Sequence, residues 1–216
     1  MKLGILGTGD VGRTLAGGFA TRGHEVVMGT RDPAAPKILE LLDRIGRGVK
    51  AATFAEAAGF GEVVIVAIGE ALESALQLAG PENFAGKVVL DTSNPLVYEK
   101  EGQPPVLSVG HGDSNGERVQ RRLPGARVVK AFNIIGHPHM VDPDFNGAKP
   151  DMLICGNDAA AKRVADGLIR DLGWPASIDL GDISKSRYLE PLAIVWITLL
   201  FNSGFNPNHA FKLLRK

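Results

Sequence analysis

The sequence has little cysteine, no net charge and no long apolar run. Its 216 residues include one cysteine, Cys155, so no disulfide forms within the chain, which fits a reducing compartment. Lysine plus arginine and aspartate plus glutamate both number 24. This balance does not favour nucleic acid or a membrane surface as a partner. The longest apolar stretch, Leu189 to Phe201, contains a glutamate and a proline and is shorter than the roughly 20 residues that cross a bilayer.

The few features that can indicate a compartment agree with one another. Cys155 ends an apolar run that starts at Met152, which predicts a small buried side chain rather than a reactive thiol. The opening apolar run is interrupted by Gly4 and Gly7 and has no cleavage pattern, so no signal peptide is predicted. We therefore expect a cytoplasmic protein that acts on a small molecule.

Apolar runs typical of strands alternate with segments of helical spacing along the chain. Most of these runs are continuously apolar, as expected for strands that are buried on both faces of a parallel sheet. The predicted strands are Lys2–Leu6, Glu25–Met28, Val49–Ala52, Val63–Ile68, Lys87–Asp91, Arg127–Ala131, Met152–Cys155 and Ala176–Leu180. The alternation predicts an α/β protein of the Rossmann type, with a doubly wound, mostly parallel sheet and a small C-terminal extension of mixed α/β and helical structure.

Two helices are predicted from their capping residues and spacing. Asp32 followed by Pro33 is typical of an N-cap and a proline at the first helical position. A helix from about Ser186 to Phe201 is apolar on all sides and must be covered on all sides. A second subunit would provide that cover, so we predict a homodimer. The alternative cover is a final helix capped by Asn206.

Three glycines follow the first predicted strand and precede a helix. Gly7 permits a sharp turn, Gly9 leaves space for a pyrophosphate, and Gly12 lets the helix pack closely. The backbone N–H groups of Gly9, Asp10 and Val11 would face the phosphates at the positive end of the helix dipole. In this context the pattern is a dinucleotide-binding fingerprint. The side chain of Asp10 is expected to turn away from the phosphates.

The end of the second strand distinguishes NADP from NAD. An acidic residue there would bind the ribose hydroxyls of NAD, but this chain has Gly29, Thr30 and Arg31. A hydroxyl and a guanidinium suit a phosphate, and Lys37 adds positive charge from the next helix. Asp32 stands near the position of the acid in NAD enzymes but is better explained as a helix cap. The predicted cofactor is NADP(H).

Further contacts are predicted where other strands end, because ligands of open α/β sheets bind there. Ile68 and Gly69 would flank the adenosine. Ser93 and Asn94 suit the nicotinamide ribose or amide, although Asn94 with the following proline also fits a simple turn.

The sixth predicted strand ends near Lys130, and residues at and after its end are predicted to contact the nicotinamide. Ala131 and Asn133 are predicted cofactor contacts, and Asn133 would hydrogen-bond the nicotinamide or a second substrate. Phe132 and Ile135 would form apolar walls. Lys130 is the best proton donor in a site poor in acids and bases, although a surface lysine is the simpler interpretation. Such a site suits direct hydride transfer to a conjugated ring.

The histidines do not identify a metal site. His137 and His139 lie near Asp142 and Asp144, which could ligate a metal, but no cysteine or further ligand pattern accompanies them. No metal is predicted, and His111 has no assigned role.

The order and spacing of five motifs resemble those of the coenzyme F420-dependent NADP oxidoreductase family. Within that family, the resemblance is to the bacterial branch of dinucleotide-binding enzymes. The five motifs are Gly7-Thr8-Gly9-Asp10-Val11-Gly12, Gly29-Thr30-Arg31-Asp32-Pro33, Ser93-Asn94-Pro95-Leu96, Lys130-Ala131-Phe132-Asn133 and Ser186-Arg187-Tyr188-Leu189-Glu190-Pro191-Leu192. The resemblance covers nearly the whole chain. It implies NADPH bound through Thr8 to Val11, with its 2′-phosphate at Thr30 and Arg31. It also implies hydride exchange with a flat acceptor stacked on the nicotinamide near Asn133 and Ile135.

The resemblance leaves the hydride acceptor open. Archaeal F420 enzymes carry a histidine where this chain has Asn133 and a threonine where it has Ile134, so a flavin or another conjugated ring stands beside coenzyme F420. A non-catalytic NADPH-binding protein that senses redox state is the main alternative. An imine reductase or β-hydroxyacid dehydrogenase is disfavoured, because those enzymes have a long all-helical second domain. We expect an NADP-binding Rossmann domain over residues 1–150 and a small unit over 151–216 that supplies an acceptor site and a dimer contact.

Overall fold

The computed structural model describes residues 1–214 and 216. The strands are β1 Lys2–Leu6, β2 Glu25–Thr30, β3 Lys50–Thr53, β4 Val63–Val66, β5 Val88–Asp91, β6 Leu96–Val97, β7 Val106–Leu107, β8 Arg127–Lys130, β9 Leu153–Gly156 and β10 Ile178–Asp179. The helices are α1 Asp10–Thr21, α2 Pro36–Ile45, α3 Phe54–Phe60, α4 Leu72–Ala79, α5 Asn115–Arg122, α6 Ala159–Asp171 and α7 Ser186–Asn202. Strands and helices alternate as the apolar runs predict.

The main sheet has the order β10-β9-β8-β5-β4-β1-β2-β3. Neighbouring strands are parallel from β3 to β8, β9 is antiparallel to β8, and β10 is parallel to β9. The strands β6 and β7 form a separate antiparallel pair. The strand order reverses beside β1, which opens a crevice at the carboxyl ends of the strands. The predicted Rossmann-type, mostly parallel sheet with a C-terminal extension is confirmed.

Alternate strand residues enter apolar clusters on the two faces of the sheet. Ile5 and Ile65 pack with residues of α1 and α6 in one cluster. Leu6 and Val64 pack with residues of α3, α4 and α5 in the other. Helices therefore cover both faces, which is why most strand sequences are continuously apolar.

The helix α3 packs directly on the backbone of β1. A Cβ atom at Gly4 would overlap the carbonyl oxygen of Ala57 in α3, so glycine permits this close approach. Thr53 and Glu56 form a capping box at the start of α3, in which the Thr53 N–H donates to Glu56 Oε2 at 2.9 Å. This start brings Phe54 to the carboxyl edge of the sheet.

The predicted start of α2 is wrong. This helix begins at Pro36, with Ala35 as its N-cap, rather than at Pro33. Oδ1 of Asp32 accepts a hydrogen bond from the backbone N–H of Ala34 at 3.0 Å. The aspartate therefore closes a separate turn before the helix, a local alternative that short polar side chains commonly adopt.

The predicted final helix is also wrong for the residues that are described. Residues 203–214 contain no helix, and Oδ1 of Asn206 accepts the N–H of Asn208 at 3.0 Å. The chain then runs back along the fold, where the Asp151 N–H donates to the Phe211 carbonyl at 3.1 Å. Asn206 closes a turn rather than capping a helix.

The long apolar helix α7 agrees with its prediction and is unevenly buried. Leu189, Ala193 and Trp196 are buried, whereas the side chains of Val195 and Leu199 are 50% and 45% exposed. Among the described residues, every helix is too short or too polar to cross a membrane. The segment after residue 150 adds β9 and β10 to the main sheet, and the domain boundary at that residue stays a prediction.

Candidate functional site

A cleft of about 570 Å³ opens at the carboxyl ends of β1, β2 and β4. It collects predicted cofactor contacts from the loops after these strands and from the first turn of α2. The predicted contacts that line it are Gly7, Thr8, Gly9, Thr30, Arg31, Lys37, Ile68 and Gly69. The position matches the crevice in which open α/β sheets bind ligands.

The glycine-rich turn has the geometry of a phosphate cradle. Gly7 has a φ of +117°, and a Cβ there would overlap the carbonyl oxygen of Ala67. A Cβ at Gly12 would overlap the carbonyl oxygen of Gly7, so α1 can start directly against the turn. Gly9 is the N-cap of α1, and apart from Gly9 and its two chain neighbours no atom of the described residues lies within 4 Å of a Cβ built there. This open space beside the unpaired N–H groups of a helix start fits a phosphate.

Asp10 and Val11 lie in the first turn of α1 and do not line the cleft. The Asp10 carboxylate pairs with Arg13 in the next turn, and one of its oxygens lies 3.9 Å from His137 Nε2. The position of Asp10 agrees with its interpretation as a helix N-terminal residue, and the direction of its side chain relative to the phosphates stays a prediction. Val11 packs against the apolar core.

The histidines near this helix have protein partners. His137 Nδ1 lies 3.5 Å from Thr14 Oγ1, and His139 Nε2 lies 3.0 Å from Asn208 Oδ1. Burial lowers the pKa of His137, and the positive charge of Arg13 lowers it further. Across residues 1–214 and 216, the structure groups no three His, Cys, Asp or Glu side chains around a potential metal ion.

The outer end of the cleft carries positive charge. Arg31 and Lys37 are exposed there, and Thr30 is half-buried beside them. Asp32 also borders the cleft, but one of its oxygens already accepts the Ala34 N–H. A guanidinium, an ammonium and a hydroxyl at one edge suit a phosphate monoester better than the two hydroxyls of a ribose.

Asn94 and Asn133 do not line this cleft and are hydrogen-bonded to each other. Asn94 lines a neighbouring pocket that shares Gly69 with the cleft. The Asn94 side-chain amide donates to the Asn133 carbonyl at 2.9 Å, and Asn133 Nδ2 donates to Asn94 Oδ1 at 3.0 Å. Asn133 Nδ2 also donates to the carbonyl of Leu189 in α7 at 2.9 Å. Asn133 is 5% exposed, and its Oδ1 atom has no hydrogen-bond partner among the residues that the structure describes. A buried acceptor without a partner fits an N–H donor of a ligand.

The other residues that the sequence predicts near the nicotinamide are buried in the fold. Ala131 is fully buried, and its N–H donates to the Asp91 carbonyl at 3.1 Å. Phe132 and Ile135 belong to the apolar core rather than to a wall of the cleft. Phe132 has a φ of +60°, an uncommon conformation for a non-glycine residue. The chain turns there, directly before Asn133.

Lys130 is a buried ion-paired residue, so its interpretation as a surface lysine is wrong. Its Nζ lies 2.9 Å from Asp91 Oδ2 and 2.7 Å from Glu190 Oε1, and it also donates to the Ser93 carbonyl. Burial by itself lowers the pKa of the Lys130 ammonium, but Asp91 and Glu190 raise it and the net shift is upward. All three N–H bonds are occupied, which makes Lys130 a poor proton donor to a substrate.

The two carboxylates around Lys130 connect distant elements. Asp91 ends β5, and its Oδ1 accepts the Ser93 N–H at 3.0 Å. Glu190 belongs to α7 and accepts the first two backbone N–H groups of α5 at 3.0 and 3.1 Å. Sequence reasoning missed this cluster. Its signal was present, because Lys130 and Glu190 each interrupt an otherwise apolar segment.

Cys155 behaves as a small buried side chain, as its apolar neighbours predict. Burial raises the pKa of its thiol to about 11, and its Sγ lies 3.3 Å from Ser186 Oγ. The thiol is therefore protonated at neutral pH and is a weak nucleophile.

Comparison with known proteins agrees with this geometry. The family model described as NADP oxidoreductase coenzyme F420-dependent matches residues 2–95. The F420-dependent NADP reductase of Methanocaldococcus jannaschii is 34% identical over 92% of this chain and 92% of its own length. Metalloreductase STEAP3 of Rattus norvegicus is 32% identical over 89% of this chain and 36% of its own length. A crystal structure from Arthrobacter sp. FB24, provisionally assigned as an F420-dependent NADP reductase, is 43% identical, has a TM-score of 0.92 and covers 100% of both chains.

Proposed function

Because the chain belongs to the coenzyme F420-dependent NADP oxidoreductase family, we propose that it transfers a hydride between NADP(H) and a flat conjugated acceptor. The chain is an NADP-dependent oxidoreductase, since it matches F420-dependent NADP reductases over nearly their full length. The predicted family and enzyme class are thereby confirmed. The finer part of the proposal is the acceptor, which we take to be coenzyme F420 or a flavin.

The observation that carries the proposal is the open space at Gly9 beside the start of α1. The N–H groups there would hold the pyrophosphate. Thr30 and Arg31 line the same cleft and would hold the 2′-phosphate, with Lys37 adding charge. Ile68 and Gly69 would flank the adenosine. These assignments support NADP(H) rather than NAD(H).

The nicotinamide would lie towards Ser93, Asn94 and Asn133. The unpartnered Oδ1 of Asn133 supplies an acceptor for the carboxamide N–H or for an N–H of the second ring. When bound, the nicotinamide supplies the hydride. Because Lys130 uses all its N–H bonds within the protein, the site suits direct transfer to a conjugated ring, which needs positioning more than a protein acid.

We also propose that residues 151–216 help to form the acceptor site. The Leu189 carbonyl in α7 accepts from Asn133 Nδ2, which orients that side chain. Trp196, two turns further along the same face of α7, packs so closely on Gly136 that a Cβ at Gly136 would overlap the Trp196 ring. Through both contacts α7 shapes the loop that follows β8, at Asn133 and Ile135.

Mixing the protein with NADPH and one acceptor at a time tests the proposal. Coenzyme F420, FMN and FAD are offered separately, and NADPH loss is followed by absorbance. We expect turnover with at least one of them, and much slower turnover when NADH replaces NADPH at the same concentration.

Two results would contradict parts of the proposal. Tight NADPH binding without turnover on any of the three acceptors would favour a non-catalytic redox-sensing protein. Failure to bind NADPH in a calorimetric titration would remove the cofactor assignment itself.

A further inference from the structure

The buried cluster formed by Asp91, Lys130 and Glu190 contains one more negative than positive charge. The side chains of all three are at most 2% exposed. Both oxygens of each carboxylate accept hydrogen bonds, and every partner is an N–H donor. This set of N–H donors suits two carboxylates and leaves no acceptor to which a carboxyl O–H could donate. Two backbone N–H groups at the start of α5 partly stabilise the excess negative charge, but they do not neutralise it.

This cluster is hydrogen-bonded to Ser93, one of the residues proposed to contact the nicotinamide. Asp91 and Lys130 are the last residues of β5 and β8, so they lie at the carboxyl edge where the ligand binds. They hold Ser93 from both sides, since Asp91 accepts its N–H and Lys130 donates to its carbonyl. The next residue, Asn94, is hydrogen-bonded to Asn133 in both directions.

We propose that this cluster stabilises the oxidised, cationic nicotinamide relative to the reduced, neutral one, with Glu190 supplying the excess negative charge. The proposal rests on the proposed function, because it concerns the cofactor in the same cleft. A hydride leaves the reduced ring with two electrons and one proton, and the acceptor ring takes it, so one positive charge appears on the nicotinamide. A buried negative charge acts on that change through protein rather than through water. The protein thus favours NADPH as the hydride donor.

The ratio of two dissociation constants tests this assignment. NADP⁺ and NADPH are titrated separately into the wild-type protein, the Glu190→Gln variant and the Glu117→Gln variant. Glu117 of α5 is the matched control, because it is also bonded to α7, through Arg187 at 2.6 Å, but its charge is balanced by that partner. Glu190→Gln keeps the size of the side chain and removes the excess charge.

We expect Glu190→Gln to weaken NADP⁺ binding relative to NADPH by several-fold to about tenfold, the range over which one buried charge acts. The Glu117→Gln ratio is expected to stay within about twofold of the wild type. A loss of both affinities by the same factor would show a purely structural role and would overturn the proposal. An equal change of the ratio in the control would overturn it as well.

Two further measurements keep the proposal testable if Glu190→Gln does not fold. Asp91→Asn removes the same formal charge from the other side of Lys130 and is expected to change the ratio in the same direction. In the unmodified protein, the ratio is expected to stay constant between about 50 mM and about 500 mM salt, because buried charges are weakly screened. A ratio that falls with salt would place the charge at the surface and refute the assignment. Absence of binding by either nucleotide would instead refute the proposed function.

Discussion

At the residue scale, adding one methyl group to the glycine-rich turn is expected to have different effects at Gly9 and at Gly12. A Cβ at Gly9 stands in open space, whereas a Cβ at Gly12 overlaps the carbonyl oxygen of Gly7. We expect Gly9→Ala to leave the fold unchanged and to weaken NADPH binding by about tenfold or more, because it fills the cradle. Gly12→Ala should instead destabilise the fold by about 1–3 kcal/mol. Urea denaturation and NADPH titration of both variants separate the two effects.

The stability of Gly12→Ala is the control for the stability of Gly9→Ala. If Gly9→Ala destabilised the fold as much as Gly12→Ala, the space beside Gly9 would be a packing requirement. If a folded Gly9→Ala protein bound NADPH with unchanged affinity, the proposal that this turn binds the pyrophosphate would be wrong.

We expect the choice between NADPH and NADH to depend on Arg31. It is exposed at the outer end of the cleft, beside Thr30. We expect Arg31→Ala to weaken NADPH binding by roughly tenfold to a hundredfold, the value of one or two charge-assisted hydrogen bonds, and to leave NADH binding nearly unchanged. Titration of both nucleotides measures this, and Arg163→Ala on α6 provides an exposed arginine away from the cleft. Equal losses for NADPH and NADH would exclude a contact with the 2′-phosphate.

The residue scale also shows where sequence reasoning was incomplete. The sequence indicates that Lys130 is the best proton donor, but its partners Asp91 and Glu190 are far from it in the sequence. A charged residue within an apolar run indicates burial with a partner. The apolar segment around Lys130 does not identify its ion-pair partners, because these depend on how β5, β8 and α7 pack together.

At the scale of single elements, α5 carries an ion-pair network that makes stability depend on pH. Asp113 precedes the helix and pairs with Arg121 at 2.7 Å. A hydrogen bond from Arg121 lowers the pKa of Asp113 from 3.8 to about 2. A lowered carboxyl pKa stabilises the fold above the unfolded value and loses this effect as the pH falls through the folded value.

We therefore expect Asp113→Asn to be less stable than the wild type by about 1 kcal/mol at neutral pH, a modest value because the pair is partly exposed. The difference should shrink as the pH falls from about 4 to about 2. Urea denaturation across this range measures it, with Asp43→Asn on the exposed face of α2 as the control. If the difference in the free energy of unfolding between the wild type and Asp113→Asn persisted at pH 2, it would not come from the charge of Asp113.

Helix starts at this scale were predicted only in part. The start of α1 after Gly9 follows from the glycine spacing, since each glycine serves a local geometric need. The sequence predicts helix caps at Asp32 and Asn206, but both side chains close turns instead. A short polar side chain can bond to the backbone in either way, and the residues that follow it decide between them.

At the scale of the whole molecule, the predicted homodimer remains to be measured. Val195 and Leu199, one turn apart on α7, lie half-exposed. We expect sedimentation to give the mass of two chains and Leu199→Glu to shift it towards one, because a charge in an apolar interface is costly. Leu39→Glu, an equally exposed position on α2, is the control. A wild-type mass of one chain would refute the dimer.

The sequence by itself determined the alternation of strands and helices, the glycine turn and the charge at Arg31. Each of these depends on neighbours a few residues apart, so periodicity and local geometry are sufficient to predict it. Only the tertiary structure decided that Asp91, Lys130 and Glu190 meet in one buried cluster, and that Asn133 keeps an acceptor without a partner. Those features depend on which elements pack together, and the free energy of burying charge then permits only a paired, hydrogen-bonded arrangement.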